Sequence, residues 1–123
     1  MLKLMIVDDS NIIRRKIERA QKGSKFKVVA TAQNGVDAIT EYRKYRPEVV
    51  TMDLTMPEME GIECIEALVE MNPEVLILVI SALADKATGI EALQKGARGF
   101  LCKPFDETKL LEALDELTEG EYV

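Results

Sequence analysis

Two adjacent carboxylates follow the first apolar run of the chain. The stretch IVDDS (residues 6–10) places Asp8 and Asp9 directly after residues that predict a buried strand. Like charges this close repel each other, and burying them is unfavourable unless a cation, hydrogen-bond donors or water compensates. The pair therefore marks a place where positive charge has to be supplied or recruited.

Further reactive side chains follow three of the other apolar runs. Asp53 follows the third run in VVTMDLTMPEMEG, Ser81 the fourth in LVISAL, and Lys103 the fifth in GFLCKPF. A single Asp or Ser at the end of a strand is usually a turn or capping residue. The joint occurrence of three carboxylates, a hydroxyl and an ammonium at corresponding positions indicates a functional site instead.

The available side chains restrict the chemistry of such a site. The chain contains no histidine, which excludes histidine-based catalysis. The two cysteines, Cys64 and Cys102, are far apart in apolar contexts, so buried free thiols are expected and a Cys/His metal site is excluded. Clustered carboxylates without soft ligands favour Mg²⁺ or Mn²⁺. A carboxylate beside such an ion can attack phosphorus and form an acyl phosphate, whose charge an ammonium and a hydroxyl stabilise.

The elements that have to position these side chains alternate regularly along the chain. Apolar runs at 2–7, 26–31, 48–52, 75–80 and 99–102 predict five strands, and residues with three- and four-residue apolar spacing predict a helix after each. In the fourth helix, Ile90 and Leu93 mark the apolar face, as Tyr42 and Tyr45 do in the second. The expected N-caps are Ser10, Asn34 and Asp106, and the glycines expected near helix C-ends are Gly23, Gly96 and Gly120.

About five repeats of strand and helix predict an α/β fold with a parallel sheet and right-handed crossovers. The length of 123 residues predicts one domain, over 1–119, followed by a C-terminal tail at 120–123. Ligands of such folds bind at the carboxyl ends of the strands, near the switch in strand order. The reactive side chains are therefore expected to meet at one edge of the sheet.

The charge balance narrows the classes of partner. A net charge of −6, from 16 basic and 22 acidic residues, argues against nucleic acid or an anionic membrane as the direct partner. No segment reaches the roughly 20 apolar residues of a membrane span, and the start of the chain turns acidic too soon for a secretory signal. Together with the free cysteines, these features predict a cytoplasmic protein.

Four motifs, IVDDS, VVTMDLTMPEMEGIE, LVISAL and GFLCKPF, closely resemble those of the response-regulator receiver domain, of the single-domain CheY-like type. The resemblance covers essentially the whole chain. It implies a flavodoxin-like (βα)5 three-layer sandwich with a central five-stranded parallel sheet in the order 2-1-3-4-5. It also implies a two-component switch, not an enzyme in the ordinary sense, that takes phosphate from a histidine kinase or phosphotransfer protein. The switch then binds a partner, in chemotaxis or another pathway, through its fourth helix, fifth strand and fifth helix, as a monomer or weak dimer.

The same resemblance implies a role for each site residue. Asp53 is the phosphoacceptor, Asp9 and Asp53 bind Mg²⁺ directly, and Asp8 binds it mainly through water. By the same resemblance, Thr55 supplies a backbone carbonyl as a metal ligand, and Lys103 pairs with the phosphoryl oxygen or the free carboxylate. The Ser81 hydroxyl donates to the phosphoryl group, and Phe100 is the aromatic residue that moves inward with Ser81.

Three alternative functions are disfavoured by particular residues. An aspartyl phosphatase of the haloacid dehalogenase type needs a second Asp where DLTMP has Thr, and it needs a cap insertion that the chain lacks. A flavin mononucleotide carrier needs a Ser/Thr/Gly-rich phosphate loop, whereas Asp8 and Asp9 would repel a phosphate without metal. A pseudo-receiver that binds partners without phosphate is disfavoured because every acceptor-site residue is present. The basic run NIIRRKIER is expected to be a solvated helix face, with kinase docking as its other interpretation.

Overall fold

Five strands form one parallel sheet in the residues that the structure, a computed structural model, describes: 1–54, 61–82 and 86–119. The strands are β1 (Leu2–Val7), β2 (Phe26–Ala32), β3 (Val49–Asp53), β4 (Leu76–Ala82) and β5 (Gly99–Lys103). The strand order is β2-β1-β3-β4-β5, so the order reverses between β1 and β3. The flavodoxin-like fold predicted from the sequence is confirmed.

A helix follows each strand, and the helices cover both faces of the sheet. The helices are α1 (Asn11–Ala20), α2 (Gly35–Tyr45), α3 (Gly61–Met71), α4 (Lys86–Gln94) and α5 (Glu107–Leu117). On one face, a core that includes Ile17, Leu110 and Leu114 packs α1 and α5 against β1, β3 and β4. On the other face, a core that includes Tyr42 and Leu68 packs α2, α3 and α4. The resulting three layers bury both faces of the central strands, as parallel sheets require.

The predicted helix caps are confirmed wherever the structure describes them. The side chains of Ser10, Asn34 and Asp106 accept hydrogen bonds from the third backbone N–H of their helices. Gly23 and Gly96 have φ of +76° and +123°, which an L side chain rarely adopts. The third predicted C-terminal glycine, at position 120, lies outside the described residues together with the tail. Among the described helices, none combines the length and apolar character that crossing a bilayer requires.

Two expectations about element boundaries and faces were wrong. The predicted strands β3, β4 and β5 ended before Asp53, Ser81 and Lys103, but these residues belong to the strands and pair with Ile80, Cys102 and Ala82. Backbone pairing does not depend on side-chain polarity, so the ladder continues into the polar residues.

The predicted apolar faces of α4 and α2 were also partly wrong. Ile90 and Leu93 are 58% and 44% exposed, and Tyr45 is 38% exposed. Among the α4 residues whose side chains the structure describes, Ala92 and Gly89 are buried instead. Small residues let this helix approach the sheet, and the larger apolar side chains beside them are left at the surface.

Candidate functional site

Three carboxylates meet at the carboxyl edge of the sheet. Val7 of β1 pairs with Met52 of β3, so the chain reaches Asp8 and Asp53 side by side. Asp8, Asp9 and Asp53 each offer a carboxylate oxygen, and these oxygens all lie within 4.8 Å of one another. Asp8 is 1% exposed and Asp53 is 3% exposed, whereas Asp9 faces solvent. Two of the three negative charges are therefore held almost without water.

The ammonium of Lys103 reaches the two buried carboxylates from β5. Its Nζ lies 3.3 Å from Asp8 Oδ2 and 3.7 Å from Asp53 Oδ1. The Lys103 side chain is 28% exposed, so its charge stays partly hydrated while it compensates charges that are buried. One ammonium does not balance three carboxylates.

One oxygen of Asp8 has an incomplete set of partners. Asp8 Oδ2 is buried, and no hydrogen bond of normal geometry reaches it among the described residues, although Lys103 Nζ stands 3.3 Å away. We interpret the Lys103 contact as electrostatic proximity, because an ammonium at that distance with poor alignment contributes charge but not a directed bond. A buried carboxylate oxygen without a directed donor fits a cation ligand.

The turn after β1 is fixed by several hydrogen bonds. The Asp8 N–H donates to Ala32 O (3.0 Å), and the Ser10 N–H donates to Asp8 Oδ1 (2.9 Å). The Arg14 guanidinium donates from Nη1 to the backbone carbonyl of Asp8 and from Nη2 to the Asn11 side chain. Both the backbone and the side chain of Asp8 are thus held in place.

The two predicted switch residues occupy neighbouring strands. Ser81 is 4% exposed in β4, one residue beyond Ile80, which pairs with Asp53. Phe100 of β5 pairs with Val79 and is half-buried, with its ring against Gly89 of α4. The structure brings Asp8, Asp9, Asp53 and Lys103 together and puts Ser81 at the same edge. The predicted ligand Thr55 lies outside the described residues.

Sequence reasoning missed three residues that support the site. Gly61, the first residue of α3, lies so close to β3 that a Cβ there would be 2.5 Å from Asp53 O. Lys16 donates to the carbonyl of Phe105, two residues after Lys103, and its Nζ lies 4.6 Å from the centre of the Phe105 ring. Arg14 holds Asp8. The basic run of α1 was a visible signal, but the sequence does not tell a side chain that turns inward from one that is solvated.

The chemistry of this donor set is narrow. Carboxylate oxygens without His or Cys suit a hard divalent cation such as Mg²⁺. Asp8 and Asp53 both lie close to the Lys103 ammonium and to the other acidic side chains. Such an environment can stabilise the negative charge of a covalent product formed on a carboxylate.

Comparison with known proteins identifies the family. The model of the response regulator receiver domain matches residues 4–115. The chain is a response regulator receiver domain. Receiver domains belong to two-component systems, act as phosphoacceptor switches and bind Mg²⁺ in an acidic pocket. The resemblance seen in the sequence motifs is therefore confirmed, and this membership favours a receiver over the phosphatase and flavin-carrier alternatives.

Among the relatives of this receiver domain are single-domain chemotaxis proteins. It is 40% identical to the chemotaxis protein CheY of Listeria monocytogenes over 116 residues, which cover 94% of this chain and 98% of the relative. It is 37% identical to CheY of Bacillus subtilis, covering 93% and 95%. Among solved structures, a chain of the CheX–CheY–BeF3–Mg²⁺ complex from Borrelia burgdorferi superposes with a TM-score of 0.89 at 30% identity, covering 94% of this chain and 88% of that one.

Proposed function

We propose that this receiver domain accepts a phosphoryl group on Asp53 from the phosphohistidine of a histidine kinase or phosphotransfer protein. The observation that supports this most directly is the environment of Asp53. The carboxylate is 3% exposed, lies 3.7 Å from the Lys103 ammonium, and shares the strand edge with two further carboxylates. A phosphoryl group on this side chain would meet a cation on one side and metal ligands on the other.

In this proposal, Asp8, Asp9 and Asp53 hold Mg²⁺, for which Mn²⁺ can substitute. The resemblance adds the backbone carbonyl of Thr55 and makes Asp8 mainly a water-mediated ligand. When bound, the metal neutralises charge on the carboxylates and on the transferring phosphoryl group. The buried Asp8 Oδ2 without a directed donor supports a cation at this place.

The chain's own side chains have distinct roles in the transfer. An oxygen of the Asp53 carboxylate attacks phosphorus, the P–N bond to the donor imidazole breaks, and the imidazole leaves with the bonding electrons and takes up a proton. The Lys103 ammonium, already 3.7 Å from Asp53, pairs with an oxygen of the new acyl phosphate. The Ser81 hydroxyl, at the same strand edge, donates to another phosphoryl oxygen.

We assign the output of the switch to the face formed by α4, β5 and α5. This face carries Ile90 and Leu93, which are 58% and 44% exposed beside the half-buried Phe100. Lys103 belongs to β5 and Ser81 to β4, so a phosphoryl group on Asp53 would pull on both strands next to Phe100. Repacking of Phe100 then converts a local charge into an altered binding face.

The cellular setting is proposed from the relatives. The single-domain CheY proteins make chemotaxis the first pathway to test, with a protein target bound as in the CheX complex of the Borrelia protein. We place the protein in the cytoplasm, as a monomer or weak dimer, with no direct nucleic-acid or membrane partner. The alternative is a pseudo-receiver that binds its partner without phosphate.

Intact-mass measurement with acetyl phosphate tests the proposal. Wild type should gain one phosphate when Mg²⁺ is present and none when a chelator removes it, and Asp53→Asn should gain none in either condition. An equal gain in Asp53→Asn would refute the assignment of the acceptor. No gain in wild type with any small donor or kinase, combined with normal partner binding, would favour the pseudo-receiver.

Metal binding separates the roles of the two adjacent carboxylates. Asp9→Ala should weaken Mg²⁺ binding more than Asp8→Ala, because the resemblance makes Asp9 a direct ligand. Thermal unfolding followed during a Mg²⁺ titration measures both variants. A larger loss in Asp8→Ala would reverse the two roles.

A further inference from the structure

Three consecutive basic residues of α1 occupy different environments. Arg14 is half-buried and donates hydrogen bonds to Asp8 O and to Asn11. Arg15 is exposed, and Lys16 donates to Phe105 O on the other side of the helix. Arg14, Arg15 and Lys16 each carry one positive charge and are neighbours in sequence, but they differ in their contacts. Variants at these positions therefore separate the effect of a hydrogen bond from the effect of charge.

Arg14 approaches the acidic turn from the side of β2. It lines a polar cavity of about 260 Å³ together with Thr31, Ala32, Gln33 and Asp37. Lys103 approaches the Asp8 carboxylate from the opposite direction, across β3 and β4. Asp8 is thus held from two sides, by Lys103 at its side chain and by Arg14 at its backbone carbonyl.

The carbonyl that Arg14 binds belongs to the peptide group that joins Asp8 to Asp9. A peptide group is planar, so fixing its oxygen fixes the plane that contains both the Asp8 carbonyl and the Asp9 nitrogen. The direction in which the Asp9 side chain leaves the backbone depends on that plane. Asp9 is exposed and has no burial to orient it. The hydrogen bond from Arg14 therefore restrains the peptide plane from which Asp9 extends, and no hydrogen bond or ion pair joins Arg14 to Asp9 among the described residues.

We propose that Arg14 is a positioning residue for the metal site, which it organises by fixing the Asp8–Asp9 peptide plane. The expected effect on Mg²⁺ binding rests on the proposed function, because it requires that this site binds Mg²⁺. The fixing of the Asp8–Asp9 peptide by Arg14 does not depend on the metal. Arg14 also places a positive charge near the metal ligands, and that charge by itself opposes Mg²⁺ binding. The two effects of the side chain have opposite signs, which makes them separable by mutation.

The variants are Arg14→Met, which removes both charge and donors, Arg14→Gln, which removes charge but keeps a donor, and the matched control Arg15→Met, which removes the same charge from the exposed neighbour. Arg14→Met should weaken Mg²⁺ binding about tenfold relative to Arg15→Met, the lower end of the effect seen for groups that orient metal ligands. Arg14→Gln should fall between them. A pure charge effect predicts the opposite, namely tighter binding in both Arg14 variants.

The dissociation constant of Mg²⁺ is measured by amide NMR titration on the full chain, and the metal-free protein supplies an independent readout. In metal-free Arg14→Met, the amide signals of Asp9 and Ser10 should broaden or shift, and those signals should stay in place in Arg15→Met. If Arg14→Met does not fold, Arg14→Gln against Arg15→Met decides the question. If wild type binds Mg²⁺, binding in the Arg14 variants equal to or tighter than in Arg15→Met overturns the proposal, whatever the Asp9 signals show.

Failure of the proposed function gives a different pattern. If wild type does not bind Mg²⁺ at millimolar concentration, the metal site itself is wrong, and the metal-free amide signals alone decide whether Arg14 fixes the turn. If wild type binds Mg²⁺ and Arg14→Met binds it equally well, the site stands and the role of Arg14 is refuted.

Discussion

Two buried glycines, Gly61 and Gly89, lie against different kinds of neighbour. A Cβ at Gly61 would be 2.5 Å from Asp53 O and 2.6 Å from Leu54 Cα, both backbone atoms of the strand end that carries the proposed acceptor. A Cβ at Gly89 would be 2.3 Å from Cε2 of the Phe100 ring. Backbone in a sheet cannot move without breaking its ladder, whereas a side-chain ring can turn or shift.

The region around Asp8 and Asp53 is therefore rigid, whereas the region around Phe100 can adjust its packing. The carboxylates of Asp8 and Asp53 are almost fully buried and lie near the Lys103 ammonium, and Asp8 also accepts a hydrogen bond from the backbone N–H of Ser10. Around Phe100 the packing leaves an apolar cavity of about 230 Å³ lined by Gly89, Ile90, Leu93 and Phe100. A switch needs both, because a charge change is transmitted only if the site stays fixed and a nearby face can repack.

Gly61→Ala is expected to have the largest effect. The added methyl meets the backbone at Asp53 and Leu54, so either α3 or the end of β3 has to move, and the free energy of unfolding should fall by about 2 kcal/mol. Chemical denaturation measures this. Mg²⁺ binding should weaken as well, because the displaced strand end carries Asp53. An alanine variant as stable as wild type would show that this strand end is not rigid.

Gly89→Ala is the matched substitution on the adjustable side. Because the methyl meets a ring beside a cavity, the change in unfolding free energy should stay within about 1 kcal/mol, and the gain in helix propensity offsets part of the clash. The signals that shift in amide NMR spectra should be those of α4 and β5.

Making Gly89→Ala in a Phe100→Ala variant tests whether the Phe100 ring causes the clash. In Phe100→Ala the obstacle is gone, and Gly89→Ala should then stabilise the protein by about 1 kcal/mol, the usual difference between Ala and Gly inside a helix. Equal effects of Gly89→Ala in the two backgrounds would mean that Phe100 does not determine the packing of α4.

Thr51 tests whether the polar groups beneath the site belong to the site. Its hydroxyl is buried, has no hydrogen-bond partner among the described residues, and lies two residues before Asp53 on the same face of β3. Thr51→Val should raise the free energy of unfolding by about 0.5–1 kcal/mol, because it replaces an unsatisfied hydroxyl with a methyl of similar size. Acyl phosphate formation should not change. Loss of phosphorylation would instead make the hydroxyl part of the site.

The two cysteines differ in burial, and this difference should appear in their reactivity toward a thiol reagent. Burial raises the pKa of the Cys64 thiol from 9.0 to about 12, and its Sγ lies 3.8 Å from Gly35 O, whereas Cys102 in β5 is half-buried. A thiol reagent at pH 8 should therefore modify Cys102 long before Cys64.

The raised pKa also predicts a pH dependence of stability. Between pH 9 and about 12 the unfolded chain releases the Cys64 proton that the folded protein keeps. The Cys64 contribution is thus fully present below pH 9, and the free energy of unfolding should fall as the pH rises through this window. Cys64→Ala should show a smaller fall, and identical slopes would mean that the thiolate is tolerated inside.

Much of the architecture follows from local sequence signals. The alternation of apolar runs with helical spacing predicted five strands and five helices, and Ser10, Asn34 and Asp106 marked three helix starts. The order of polar residues after apolar runs predicted that Asp8, Asp9, Asp53 and Lys103 would meet. These predictions succeed because strand periodicity, capping and the edge of a parallel sheet are properties of short segments or of the fold class.

Other features were decided only by tertiary packing. Spacing placed Ile90 and Leu93 on the apolar side of α4, but the helix buries Gly89 and Ala92. At Gly89 the Phe100 ring lies so close that even a Cβ would meet it. The strands continued into Asp53 because backbone pairing ignores side-chain polarity.

The basic run of α1 shows the same limit most clearly. The sequence determined that Arg14, Arg15 and Lys16 are cations on one helix, and it favoured a solvated face. The tertiary structure turned Arg14 toward Asp8 O and Lys16 toward Phe105 O and left Arg15 exposed. Helical spacing fixes the direction of each side chain around the helix axis. Only the neighbouring loops decide whether a carbonyl stands there to receive it.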